Sequence, residues 1–182
     1  MGSARADPPV VLVPTLTLGM VDDVVPPIDA TKRKCVWKAN TAKQTVDRIV
    51  PPPPGSAGDP TAWGATLTVY NAAGGTESFP ARLPATGWTV AFRTGYRFVS
   101  PTGPVLKVFV KQDHLWVNAG KTGFGYTLDE PSQGAMAVRL TLGTGVTWCA
   151  SAVPKVPASR YDRPGKFFAT HADAPAACSP VP

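Results

Sequence analysis

Apolar and polar residues alternate in short stretches along this chain. In residues 65–70, Leu67 and Val69 share one face while Thr66 and Thr68 take the other. Across residues 135–142, Met136, Val138, Leu140 and Leu142 alternate in the same way with Arg139 and Thr141. A half-buried strand requires this period of two, because successive side chains leave opposite faces of a sheet. Residues 105–111 set Leu106, Val108 and Val110 against Lys107, Phe109 and Lys111, and after Gln112-Asp113 the pattern resumes through Asn118, which predicts a hairpin. Further strands are expected at residues 10–18, 34–38, 88–92, 96–100, 146–150 and 166–170, with single helical turns at 47–50 or 59–63.

Short strands punctuated by clusters such as Ala72-Ala73-Gly74-Gly75 and Pro101-Thr102-Gly103-Pro104 describe an all-β fold. The expectation is a single antiparallel β-sandwich, jelly-roll or immunoglobulin-like, of about eight to ten strands with long Pro/Gly-rich loops. Pro51-Pro52-Pro53-Pro54 and the Gly/Ser stretch after it resemble a domain linker. Too few strands precede it to be stable alone, so it reads as a polyproline-type surface connection within one domain spanning residues 10–182. Residues 1–9 read as a linker replacing a leader. Ala4-Arg5-Ala6 has the small-x-small form of a cleavage site without the basic and apolar regions that precede one.

Composition sharpens this picture. With 21 Pro and 17 Gly in 182 residues, a helical bundle is excluded, since helix interiors lose about 3 kcal/mol per Pro and about 1 per Gly. A 43% hydrophobic share excludes wholesale disorder. No run approaches the ~18 apolar residues of a membrane span, so no transmembrane segment is predicted. The net charge of +6 favours anionic partners, although the basic residues are scattered apart from Lys32-Arg33-Lys34.

Three cysteines, Cys35, Cys149 and Cys178, allow one disulfide in three pairings. Cys149–Cys178 is favoured, because Cys149 closes a predicted strand and Cys178 lies in a Pro/Ala-rich tail with no other anchor. A structural disulfide implies an oxidising compartment, so the chain is expected to be secreted, periplasmic or at the cell surface. Cys35 is then a small buried residue, an intermolecular bridge or a reactive thiol.

Catalytic patterns are scarce. The two histidines, His114 and His171, form no metal-binding spacing, no CxxC occurs, and no G-x-S-x-G elbow is present, so no metal or cofactor is expected. Nucleic-acid motifs are absent as well. The adjacent carboxylates Asp22-Asp23 and Asp129-Glu130 could each join Asp59 in a surface calcium site. Residues 128–134 read as a turn in which Asp129 holds backbone amides. The best functional lead is aromatic. Trp63, Tyr126, Trp88 and Tyr96 are the candidate platform for stacking a sugar, Trp63 and Tyr126 being the more exposed, whereas Trp116 and Trp148 sit in apolar runs and are assigned to the core.

Residues 55–61 (Gly-Ser-Ala-Gly-Asp-Pro-Thr), Gly87-Trp88, Gly95-Tyr96-Arg97-Phe98, residues 128–134 (Leu-Asp-Glu-Pro-Ser-Gln-Gly) and the closing Cys149/Cys178 pair resemble a functionally uncharacterised β-rich module of secreted bacterial proteins. The resemblance implies a secreted β-rich module and transfers no catalytic residue. Together these readings lead to a non-catalytic extracytoplasmic interaction or structural module. It would bind a protein partner, or an anionic glycan at a cell surface, or pack in a surface assembly, with edge strands or Cys35 offering routes to an oligomer. The alternative is a carboxylate-dependent hydrolase acting on polysaccharide through Asp59, Asp129 and Glu130.

Overall fold

The computed structural model describes residues 8–121 and 123–182. Most of the expected leader segment, residues 1–7, lies outside them; Pro9 accepts a hydrogen bond from the Thr147 amide as the chain enters its first strand. Thirteen strands follow in order: β1 (Val10–Leu12), β2 (Thr15–Val21), β3 (Lys34–Asn40), β4 (Ala65–Asn71), β5 (Ser78–Leu83), β6 (Trp88–Ala91), β7 (Gly95–Val99), β8 (Val105–Lys111), β9 (His114–Gly120), β10 (Met136–Leu142), β11 (Val146–Ala152), β12 (Asp162–Arg163) and β13 (Lys166–Ala172). Two single α-helical turns, α1 (Pro60–Trp63) and α2 (Ala158–Tyr161), and two 3-10 turns, Ala30–Lys32 and Ala85–Gly87, interrupt them. The fold is all-β, as the alternation predicts. No helix among the described residues is long and apolar enough to cross a membrane.

Two sheets share the strands. One has five in the order β1-β11-β10-β4-β5, the other eight in the order β12-β13-β2-β3-β9-β8-β7-β6. Leu67, Val138, Leu140 and Trp148 from the first and Leu18, Trp37, Phe98 and Phe167 from the second belong to the same buried apolar cluster.

Several expectations change. Residues 10–18 are not one long edge strand. Val13 closes β1 by donating to the Cys149 carbonyl, and Pro14, which has no N–H to continue a ladder, marks the crossing to the other sheet, where β2 lies between β13 and β3. β1 runs parallel to β11, so the architecture is not purely antiparallel. The edges are poor templates for donation to a neighbour: β1 has three residues, β12 two and β6 four, and β5 carries Pro80. Strand β5 escaped the alternation reading because of that proline. In β8 an irregularity between Val105 and Lys107 displaces Leu106 from the core, leaving Val105, Val108 and Val110 buried.

The proline-rich connection is docked rather than free. Ile49 is buried and donates to Thr41 Oγ1 at 2.9 Å, so residues 47–50 form no helical turn, and Tyr96 donates to the Pro52 carbonyl at 2.8 Å. The Gly-rich string after it is explained by contact. A Cβ on Gly145 would stand 2.5 Å from the Gly58 Cα, so the two backbones pass at a distance only glycine permits. Asp59 caps α1, accepting from Thr61 N at 2.9 Å and Gly55 N at 2.6 Å.

Cys149 and Cys178 form the disulfide. It ties the C-terminal tail to β11, and the tail lies against the outward residues of the five-stranded sheet: Tyr70 donates to the Ser179 carbonyl at 2.7 Å, and Arg139 donates to that same carbonyl and to Tyr70 Oη. Cys35 is fully buried and its thiol is pushed up to about 12 by burial, so it is a small core residue and offers no intermolecular bridge in the folded chain.

Candidate functional site

Of the four aromatic residues expected to form a platform, three are in the interior. Trp88, Tyr96 and Tyr126 are buried, Trp88 against Phe98 and Tyr126 donating to Gln133 Oε1 at 2.7 Å. Burial pushes the Tyr126 hydroxyl well above its ordinary range, with Glu77, Glu130 and Asp162 adding to the effect. Trp63 is exposed, at 64%, but stands alone at the end of α1. Trp148 is in the core as expected. Trp116, assigned to the core on its apolar neighbours, instead lies on the outer face of the eight-stranded sheet.

Strand register shows what surrounds it. Lys38 pairs with Trp116, Trp116 with Phe109, and Phe109 with Arg97, so one row across β3, β9, β8 and β7 reads cation, ring, ring, cation. The Phe109 and Trp116 rings stack with centroids 5.0 Å apart and planes inclined by 12°. Phe92 meets Phe109 edge-on at 5.7 Å, and the Arg97 guanidinium lies 5.8 Å from the Phe109 centroid. Beside the stack is an open cleft of about 520 Å³ bounded by Leu16, Lys38, Phe92, Lys111, His114 and Trp116. His114 Nδ1 lies 3.0 Å from the Gln112 carbonyl oxygen and its Nε2 3.4 Å from Asn40 Nδ2, which fixes the ring at the rim of the cleft.

The neighbouring rows carry further cations. Lys107 pairs with Asn118, Asn118 with Val36, and Lys34 with Val21, which pairs with Lys166. Six cations, Lys34, Lys38, Arg97, Lys107, Lys111 and Lys166, thus lie on this face in β3, β7, β8 and β13, four strands that contain no carboxylate. None of the six takes part in the ion pairs formed among the described residues, which engage Lys32, Arg33 and Arg48. The charge that composition showed as scattered is gathered here by strand pairing. Its single-strand signature was the alternation Lys107-x-Phe109-x-Lys111, legible as a strand but not as half of a stack.

The expected carboxylate groupings also rearrange. Asp22 accepts from Arg33 Nε at 2.8 Å and Asp23 from Lys32 Nζ at 2.9 Å, so this pair is committed to ion pairs. Asp129 and Glu130 meet Glu77 rather than Asp59, with one oxygen from each of the three within 4.8 Å of the others. Burial raises the Glu77 carboxyl above the ordinary range, opposed by the Thr127 amide and hydroxyl that bond to its Oε1. Nor does Asp129 hold the backbone of residues 128–134. Asp22 accepts from Leu128 N at 3.2 Å, and Asp162 accepts from Gln133 N at 2.7 Å and Gly134 N at 2.8 Å. Residues 55–61 and 128–134 therefore both serve backbone architecture.

No family model matches the chain, and comparison with curated proteins and with solved structures returns no match.

Proposed function

We propose that the protein is a non-catalytic extracytoplasmic binding module, a single β-sandwich that engages a glycan on the outer face of its eight-stranded sheet. The observation that carries this reading is the Phe109–Trp116 stack set among cations that enter none of the ion pairs formed among the described residues. Aromatic faces suit the apolar faces of sugar rings, and half-buried rings stacked on a sheet hold the shape of a platform without any ligand present. On the five-stranded sheet the disulfide-anchored tail covers Tyr70 and Arg139. The disulfide supports an oxidising compartment.

Titration of the protein with soluble glycans, followed by tryptophan fluorescence and calorimetry, tests the reading. Trp116→Ala is expected to weaken binding about tenfold, corresponding to roughly 1.5 kcal/mol for an aromatic contact, with a melting curve to verify that the variant is folded at the assay temperature. Failure of the unaltered protein to bind any glycan, or binding indifferent to Trp116→Ala, would refute it.

A second reading, hydrolysis of polysaccharide by carboxylates, draws its support from the Glu77–Asp129–Glu130 cluster. Asp59 no longer belongs to it, being occupied with the amides of Gly55 and Thr61. Release of reducing ends that disappears in both Glu77→Gln and Glu130→Gln would establish this activity in place of simple binding.

A further inference from the structure

We infer that the ligand is a linear acidic polysaccharide, held across the strands over two successive clefts rather than at the aromatic stack alone. The inference rests on the glycan-binding reading above and adds the charge, shape and extent of what is bound.

The first observation is a second cleft on the same sheet face. It has a volume of about 290 Å³ and is lined by Gly19, Val36 and Phe168, with Lys34 and Lys166 beside them. A Cβ on Gly19 would stand 3.0 Å from the Phe168 ring, so the ring lies over a position that must remain small, giving the cleft an apolar aromatic wall. Strand β3 connects the clefts. Lys34 and Val36 line this one and Lys38 the first, all three pointing outward at every second residue.

The second observation is spacing. Lys34 and Lys38 are four residues apart on one strand, which places their Cα atoms roughly 13 Å apart, and Lys38 and Arg97 are separated by three strand intervals, roughly 14 Å. A compact anion can neutralise one of these positions. An extended polyanion can meet several in succession, and only such a ligand relieves six cations gathered on four strands that contain no carboxylate. The face is also open, without the enclosure that retains a small ligand.

The third observation is what stands between the cations. Asn40, Asn118, Thr17 and Thr170 are strand residues of the same face, supplying amide and hydroxyl groups among the rings and charges. Donors and acceptors in that number suit a chain carrying many hydroxyls, and they favour a polysaccharide over a lipid surface.

Calorimetry with the whole protein tests this. The probes are a galacturonic-acid disaccharide, a longer oligogalacturonate, a heparin-derived oligosaccharide, a neutral galactose oligomer of matched length and oligothymidylate. At least one of the long acidic oligosaccharides is expected to bind ten times or more as tightly as the disaccharide, and its affinity to fall with added salt. The double variant Lys34→Gln/Lys166→Gln is expected to remove most of that length advantage. Its melting curve checks that these surface changes leave the fold intact. Equal, Trp116-dependent binding of neutral and acidic oligomers would overturn the inference and leave the glycan reading standing. Tighter binding of oligothymidylate than of any sugar, or a length advantage untouched by the double variant, would also overturn it. Absence of all glycan binding would remove the inference and the reading beneath it together.

Discussion

Breaking the Cys149–Cys178 bond releases a tail that is otherwise held to the five-stranded sheet by few contacts, chiefly those of Tyr70 and Arg139 with the Ser179 carbonyl. The main effect belongs to the unfolded chain. The bond closes a loop with a sequence separation of 29, and the loop-entropy relation gives about 3.6 kcal/mol of stabilisation lost on opening it. For a chain of this length each kcal/mol moves the midpoint by roughly 2–4 °C, so a fall of about 7–14 °C is expected. Cys178→Ser is the suitable perturbation. Position 178 is only half-buried and accepts a hydroxyl, while Cys149 remains as a small buried thiol without opening a cavity. Thermal and urea unfolding of the variant, beside the unaltered protein with and without reductant, provide the measurement. Reductant should lower the stability of the unaltered protein towards that of Cys178→Ser and leave the variant unchanged. A loss well below about 1 kcal/mol would refute the reasoning, since the loop would then be constrained equally in both states.

Three further outcomes follow from buried groups. Asp22→Ala should destabilise the fold by about 3–5 kcal/mol in chemical denaturation, because it strands the Arg33 guanidinium and the Leu128 amide that converge on one carboxylate; a loss near zero would show the pair to be dispensable. Asp113 lies at positive φ in the β8–β9 turn, and hydrogen bonding by the Arg48 guanidinium, followed by the Thr41 hydroxyl, holds its carboxyl below the ordinary range. A depressed folded-state pKa contributes stability above the unfolded value of about 3.9 and loses it as pH falls through the folded one, so Asp113→Asn should flatten this part of the acid limb of a stability–pH profile. Cys35 should remain unlabelled by iodoacetamide at neutral pH in the native protein and react once denatured, and rapid native labelling would contradict its burial.

Much of the fold was legible in local sequence. Alternation located the strands around Leu67, Val108 and Leu140, the Gln112-Asp113 hairpin and the edges of β10 and β11, because a period of two reports directly on a half-buried sheet. The tail cysteine pointed to its partner because nothing else could anchor that segment. Sheet membership was not legible: Pro14 signals a break, but whether the chain resumes beside the same neighbour or crosses to another sheet depends on strands more than a hundred residues away.

The site shows the same division more sharply. A glycine-rich context reads as exposed loop, yet Tyr126 is buried and donates to Gln133. An apolar context reads as core, yet Trp116 faces outward because its strand neighbours Leu115 and Val117 take the inward positions. By itself the sequence determined an all-β chain of net positive charge, with one cysteine pair able to staple its tail and scarce catalytic groups. Only the tertiary structure decided which sheet face stays open, that Phe109 and Trp116 stack, and that six scattered cations share that face. Burial and cross-strand register are properties of pairs far apart along the chain, and no local pattern encodes them.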